Sequence, residues 1–207
     1  MYKRQSYDLN TYYQNYEALS KDKSSPLWNR ALMSTYEPGS TMKPAIAAAG
    51  LEEGVITETS KFYCSHIYRQ FTDTTFKCLG SHGWIDVKNA LNQSCNIYFY
   101  ETGRLLGINR MNDYCTRFGL GQKTGVEINE SSGVLAGIAY REAHGGTWYP
   151  GDTVQAAIGQ SDNLFTPIQL CSYVSTIANG GTRYRAHLSL IHISEPTRYA
   201  ASRMPSS

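Results

Sequence analysis

Two short segments carry residue types at spacings that could do chemistry. In "YEPGSTMKPAIAAAG", residues 36–50, Ser40 and Lys43 lie three apart, which on a helix sets their side chains one turn apart on one face. A lysine amine in that place can take the proton from a serine hydroxyl and so activate a weak nucleophile. At a helix N-terminus, negative charge developing beside the serine meets unpaired backbone N–H groups and the positive end of the helix dipole. The apolar flank of Lys43 disfavours its charged form, as a general base requires. Read alone, the motif serves equally as a capping serine followed by a surface lysine. The second segment is "NQSCNIYF", with Ser94 and Asn96 two apart. Residues two apart do not share a helix face, so both can line one cleft only where a turn separates two helices. There a hydroxyl can pass a proton while an amide grips a peptide, although the pair taken by itself reads as a helix linker. Another Ser-x-x-Lys, Ser20 to Lys23, falls in the polar run "SKDK" and is read as a solvated turn.

The elements around these segments can be read coarsely. The chain has 207 residues, 41% hydrophobic and 12% aromatic, enough for the core of one domain or part of a larger one. A formal charge of +2 gives no case for nucleic acid. No stretch approaches the roughly 20 apolar residues that span a bilayer, so any membrane anchor is expected outside this chain. "SYDLNTYYQNYEALSKDKSSPLWNRAL" is polar and tyrosine-rich and suits a surface segment. A helix is expected from Ser40 to Gly54, tolerating Pro44 in its first turn and using Ala45, Ala47, Ala48 and Ala49 for close packing. Residues 57–83 read as short strands and loops. Helical period returns at "DVKNALNQ", capped by Asp86, and at "IYFYETGRLLG", ending at Gly103 or Gly107. A short helix follows around "NRMNDYCTRFG", then "GLGQKTGVEINESSGVLAG" and a long loop. The last element, "TPIQLCSYVSTIANGG", has Thr166 as its cap, Pro167 at the first helical position and Asn179-Gly180-Gly181 as its stop.

The two ends are expected to be foreign to the fold. One DNA permitted for the first five residues, with GTG read as a Met start, is GTGTATAAGAGACAG. Its reverse complement translates as Leu-Ser-Leu-Ile-His, which is residues 188–192. Inverted complementarity between termini is not a protein-level constraint. The shared element resembles the transposase recognition end used in sequencing libraries, and "ISEPTR" and "SRMPSS" resemble the adapter behind it. Residues 1–5 and 188–207 are therefore set aside, as expression tags are, leaving 6–187 as a partial domain. Without Lys3, Arg4, Arg198, Arg203 and Glu195, the 19 basic and 17 acidic residues become 15 and 16, so the basicity belongs to the ends.

Four blocks, in order, carry a family resemblance: "YEPGSTMKP", "HGWIDVKNALNQSCNIYFYETG", "FGLGQKTGVEI" and "GDTVQAAIGQSDNLFTPIQLCSYVSTIANGGTRYRAHL". They resemble the transpeptidase domain of penicillin-binding proteins, nearest to the class B, monofunctional enzymes of cell elongation, division or spore-wall synthesis, and to clostridial-type sequences among them. The resemblance implies an α+β fold shared with the serine beta-lactamases. Here it would be mostly the helical subdomain, the central antiparallel sheet being largely missing because its strands come from before Ser6 and after His187. By the same resemblance Ser40 is the acylated nucleophile, Lys43 its base, Ser94 the proton shuttle and Asn96 a substrate-amide ligand, with no cofactor and no metal. The implied reaction is peptidoglycan D,D-transpeptidation: Ser40 attacks the penultimate carbonyl of a D-Ala-D-Ala stem peptide, D-Ala leaves, and the amine of a neighbouring stem takes the acyl group. Beta-lactams would trap the serine as a slow ester. The implied partners are peptidoglycan stem peptides, beta-lactams, and glycosyltransferase and other wall-synthesis proteins. The implied location is the outer face of the bacterial cytoplasmic membrane, anchored by an N-terminal segment absent from this chain. The family also needs a Lys-Thr-Gly strand. "QKTG", at Lys123 to Gly125, is a decoy, because in this block the family has a structural Thr-Gly between helices. The true third motif is expected after "IANGGTRYRAHL", so the fragment is expected to be inactive alone.

The five cysteines are read beside this frame. Cys95 stands between Ser94 and Asn96, while Cys115 and Cys171 fall on helical faces where a small buried hydrophobe is the default. Cys64 and Cys78 bracket a loop, and two readings stand: a disulfide, as an extracytoplasmic domain permits, or reduced thiols, as in an anaerobe. With His66 and His82 the stretch also has zinc-like spacing, but "HG" before the second-motif helix is accounted for by the resemblance, and no metal is assigned. Glu37, Glu52 and Glu53 read as cap and solvated-face residues. A beta-lactam-hydrolysing enzyme or a beta-lactam sensor would share Ser-x-x-Lys and Ser-x-Asn on the same fold. The "GDTVQAAIGQ" and "TPIQL" segments favour the cross-linking enzymes. An inactive truncated relative with a scaffold role is disfavoured by the intact Ser40, Lys43, Ser94 and Asn96.

Overall fold

The computed structural model describes residues 7–188, so the adapter-like segments lie outside the described residues except for Leu188, whose N–H donates to Glu127 Oε2 at 3.1 Å. The polar N-terminal stretch forms α1 (Tyr12–Lys21), which buries no side chain, and the short α2 (Arg30–Met33), which buries Leu32. Where one helix was expected from Ser40, the chain makes a 3-10 turn, Gly39–Met42, that runs directly into α3 (Lys43–Glu52). Pro44 contributes to this: it has no N–H to give the Ser40 carbonyl, so that carbonyl has no partner four residues on. The Lys43 N–H takes that carbonyl instead, three residues back. Ala45, Ile46, Ala47, Ala49 and Gly50 of α3 are buried, while Ala48, also expected to pack closely, is half-buried.

Residues 62–85 fold as two nested antiparallel ribbons. The outer one pairs β1 (Phe62–Cys64) with β4 (Gly83–Ile85), and the inner one pairs β2 (Ile67–Tyr68) with β3 (Phe76–Lys77). Asp86 then caps α4 (Val87–Asn92) by accepting the Asn89 N–H at 2.9 Å. The central helix is α5 (Asn96–Leu106), which ends at Gly107 and buries Tyr98, Phe99 and Tyr100 among others. It packs against α3 on one side and α8 (Pro150–Ala157) on the other. The approach to α8 is close: a Cβ at Gly103 would lie 2.4 Å from the Ala157 Cβ, so only glycine fits.

α6 (Ile108–Arg117) follows as expected, but the long loop placed after it is broken by α7 (Ile138–Ala143) and α8. Pro150 opens α8 and Asp152 accepts the Tyr149 N–H at 2.9 Å, two start signals hidden behind a Gly-Gly-rich approach. α9 (Pro167–Ala178) begins as read, with Thr166 accepting the Gln169 N–H at 3.3 Å. Its inward face carries Gln169, Tyr173 and Thr176, which turns Cys171 outward; that cysteine is exposed, against the buried place expected for it. Among the described residues no helix is long and apolar enough to cross a membrane.

Candidate active site

Ser40 sits in the 3-10 turn and Lys43 opens α3, so the tight turn stacks the two more nearly in line than an α-turn would. The nucleophile segment is fixed from a distance. The Tyr36 and Phe165 backbones exchange hydrogen bonds of 2.9 Å each, and the Gly39 N–H donates to the Gly159 carbonyl at 2.9 Å. Gly159 has φ +74, and a Cβ there would lie 2.2 Å from the Gly39 oxygen. Both the conformation and the contact demand glycine.

The second motif occupies the turn between α4 and α5 that its spacing required. Ser94 holds φ +51, a left-handed conformation unfavourable for a serine, and this sharp reversal lets Ser94 and Asn96 face the same side. The Ser94 hydroxyl donates to Ser40 Oγ at 2.9 Å. Lys43 Nζ donates to Ser94 O at 2.7 Å, to Ser94 Oγ at 3.0 Å and to Asn96 Oδ1 at 2.7 Å. All four residues singled out from the sequence are thus joined in one network. The lysine differs in one respect from its expected place: its three donors go to Ser94 and Asn96, and its link to Ser40 passes through the Ser94 hydroxyl.

Lys43 is 1% exposed and lies over the Phe99 ring at 5.7 Å. Burial lowers its pKa to about 8, against the opposing pull of Cys78 and Cys95. Asn96 Nδ2 donates to the Lys77 carbonyl at 3.3 Å, which ties the second motif to β3. Lys123 to Gly125 stand apart from this network. Thr124 donates through its N–H and Oγ1 to Glu130 Oε2 at 3.0 and 2.8 Å, and the Gly125 N–H to Glu130 Oε1 at 2.7 Å, so the segment closes on a buried carboxylate.

Beside Asn96 lies a second cluster. Cys64, Cys78, His82 and Cys95 bring their ligand atoms within 4.8 Å of one another. His82 Nδ1 is 3.4 Å from Cys64 Sγ and 3.7 Å from Cys78 Sγ, and the Cys78 and Cys95 sulfurs are 4.0 Å apart. Donors around a tetrahedral zinc, at about 2.3 Å for sulfur and 2.0 Å for nitrogen, stand roughly 3.5–3.8 Å from each other. The three thiols and one imidazole fit that ion in both chemistry and spacing. This set differs from the one read in the sequence: His66 is outside it, and Cys95 is inside. Cys64 and Cys78 stand as free thiols rather than a disulfide. In the sequence the place of Cys95 inside the second motif masks this role, whose signal is a third cysteine one helix beyond His82. Burial pushes the Cys95 thiol up to about 12, and a bound cation reverses that preference.

Residues 1–200 match the family described as penicillin binding protein transpeptidase domain. The chain is 35% identical over 198 residues to the peptidoglycan D,D-transpeptidase MrdA of Salmonella typhimurium, covering 89% of this chain and 31% of that protein. It is 32% identical over 180 residues to stage V sporulation protein D of Bacillus subtilis, covering 86% and 26% respectively. The chain therefore spans less than a third of the length of these curated relatives. Among solved structures it resembles Pseudomonas aeruginosa PBP2 in complex with WCK 5153, with TM-score 0.83, 36% identity and coverage of 89% of this chain and 44% of that one. It also resembles Helicobacter pylori PBP2 in its complex with MreC, with TM-score 0.82, 28% identity and coverage of 89% and 36%.

Proposed function

Because the chain belongs to the family of penicillin-binding protein transpeptidase domains, we propose that the whole protein is a peptidoglycan D,D-transpeptidase acting through a serine acyl-enzyme at Ser40. The observation that carries this reading is the unbroken path from Ser40 Oγ through Ser94 Oγ to Lys43 Nζ, with Asn96 on the same amine. With the amine neutral, the path runs the other way: Ser40 gives its proton to Ser94 Oγ as Ser94 gives its own to Lys43. The freed alkoxide adds to the penultimate carbonyl of a D-Ala-D-Ala stem. Collapse of that adduct breaks the peptide bond, and the leaving D-Ala amine takes the proton back along the same path. Asn96 offers an amide to the backbone of the donor stem. The amine of a second stem then reverses the sequence and forms the cross-link. In a beta-lactam the leaving amine stays tethered, so the ester persists.

Cys64, Cys78, His82 and Cys95 would hold one zinc ion. With all four positions taken by protein ligands, what such an ion would supply is a structural cross-link between the ribbon of residues 62–85 and the α4–α5 turn. Through it Cys95 would tie Ser94 and Asn96 to the ribbon. The remainder of the domain, with the Lys-Thr-Gly strand, lies in the whole protein beyond residues 6–187. An anchor preceding this segment would hold the enzyme at the outer face of the cytoplasmic membrane. The likeness to an H. pylori PBP2 solved with MreC, and to a peptidoglycan synthase complex that coordinates polymerization and crosslinking, supports glycosyltransferase and other wall-synthesis proteins as its partners.

The full-length protein is expected to take up one fluorescent penicillin on the peptide bearing Ser40, while residues 6–187 alone stay unlabelled. A label on any other residue would sink the assignment, and efficient labelling of the fragment would sink its incompleteness. The pH dependence follows from Lys43. Its neutral form is the active base, and with a pKa of about 8 the acylation rate should rise with pH and reach half its plateau near 8. A rate flat from pH 6 to 9 would remove Lys43 from that role.

A further inference from the structure

A buried hydroxyl outside the four-residue network closes on the same segment of chain. Tyr173, midway along α9, is 0% exposed. Its Oη accepts the Ala45 N–H at 2.9 Å and donates to the Thr41 carbonyl at 3.1 Å. Thr41 and Ala45 are the two residues that would bond directly, N–H to carbonyl four back, if the 3-10 turn and α3 were one regular α-helix. The phenol oxygen stands between them and holds that rung of the ladder open, as an inserted group does at a helix irregularity. Pro44 supplies no N–H to compete, and the edge-on contact of Phe118 with the Tyr173 ring, centroids 5.4 Å apart, fixes the direction of the hydroxyl. Ser40 lies just before this clamp and Lys43 within it. If the rung closes, the 3-10 turn of 120° per residue relaxes toward 100° per residue. Over the three steps from Ser40 to Lys43 that rotates one side chain relative to the other by up to about 60°.

We propose that Tyr173 is a positioning residue for acylation: its hydroxyl, inserted between Thr41 and Ala45, sets the angle between Ser40 and Lys43. The inference rests on the reading of Ser40 as nucleophile. It does not act through the side chains of the network, since the Tyr173 hydroxyl bonds the Ala45 and Thr41 backbone.

The test uses the full-length protein and its reaction with a penicillin, resolved into the pre-covalent dissociation constant and the limiting acylation rate constant. Tyr173→Phe keeps the ring and removes one oxygen. It is expected to lower the limiting rate constant by about tenfold or more and leave the dissociation constant within about twofold, because the reacting atoms are misaligned while the binding surface is intact. Tyr98→Phe removes a different buried tyrosine hydroxyl, one that donates to the Ser60 carbonyl at 3.3 Å, and should leave the rate constant unchanged. A Tyr173→Phe protein acylated at the wild-type rate, or an equal slowing by Tyr98→Phe, overturns the proposal. Should Tyr173→Phe fail to fold, 4-fluorophenylalanine at position 173 nearly keeps the shape, cannot donate to the Thr41 carbonyl and accepts only weakly from Ala45. It should slow the same constant, and an unchanged constant would again overturn the role. A wild-type protein that takes no penicillin at Ser40 is a separate result, which removes the transpeptidase reading and this inference with it.

Discussion

Ser40→Ala in the full-length protein should abolish covalent capture of penicillin, with acylation falling by about four orders of magnitude or more. The size follows from the network. Alanine removes the atom that would form the ester, while Lys43 keeps its contacts to Ser94 and Asn96 and the fold loses one exposed hydroxyl with the single bond it accepts from Ser94. Thermal stability should therefore stay close to that of the wild type, and the two measurements together separate chemistry from folding. The readout is the intact mass after incubation with penicillin: a single adduct on the wild type, none on the variant. Lys43→Met is expected to be nearly as slow, but with a loss of stability, since Ser94 O and Asn96 Oδ1, both half-buried, would lose their donor to an apolar chain. An adduct that persists in Ser40→Ala would move the nucleophile elsewhere and leave the Ser40–Ser94–Lys43 path without its proposed meaning.

The second large effect concerns the thiol cluster. Full-length protein purified without chelator should carry close to one zinc per chain by elemental analysis. Stripping it should lower the unfolding midpoint by about 10 °C or more, because binding to a site that does not exist in the unfolded chain counts directly toward stability. The effect should extend to catalysis, since Cys95 shares its two peptide bonds with Ser94 and Asn96. Cys95→Ser should lose the metal and slow acylation, whereas Cys171→Ser, on the exposed face of α9, should do neither. Protein that contains no stoichiometric metal and melts at the same temperature with and without chelator would show that the four side chains meet only as packed thiols.

The parts legible in the sequence were those governed by neighbouring residues. Asp86 and Thr166 announce their helices because a cap bonds the N–H three residues on. The turn at Ser94 follows from the two-residue spacing once both residues are to line one cleft, since Ser94 and Asn96 cannot share a helix face. What escaped depended on distant partners. The 3-10 turn at Ser40 needs both Pro44 and a hydroxyl from Tyr173, which is 128 residues from Ala45. The membership of Cys95, rather than His66, in the thiol cluster is decided by how the ribbons fold back on the α4–α5 turn, where the Asn96 N–H meets Cys78 Sγ at 3.2 Å. α7 and α8 were hidden because helices of six and eight residues are too short to show a period against a glycine-rich approach.

The Ser94 hydroxyl is interposed between Ser40 and Lys43, and this leaves a mark on the kinetics of the first step. A base in direct contact with its nucleophile moves one hydrogen. Here two hydrogens must shift together, one leaving Ser40 Oγ and one leaving Ser94 Oγ. In mixtures of light and heavy water, each exchangeable site that loosens in the transition state contributes its own factor. A plot of acylation rate against deuterium fraction should therefore bow downward for the wild type. It should straighten in Ser94→Ala, where whatever slow reaction remains has lost the middle carrier.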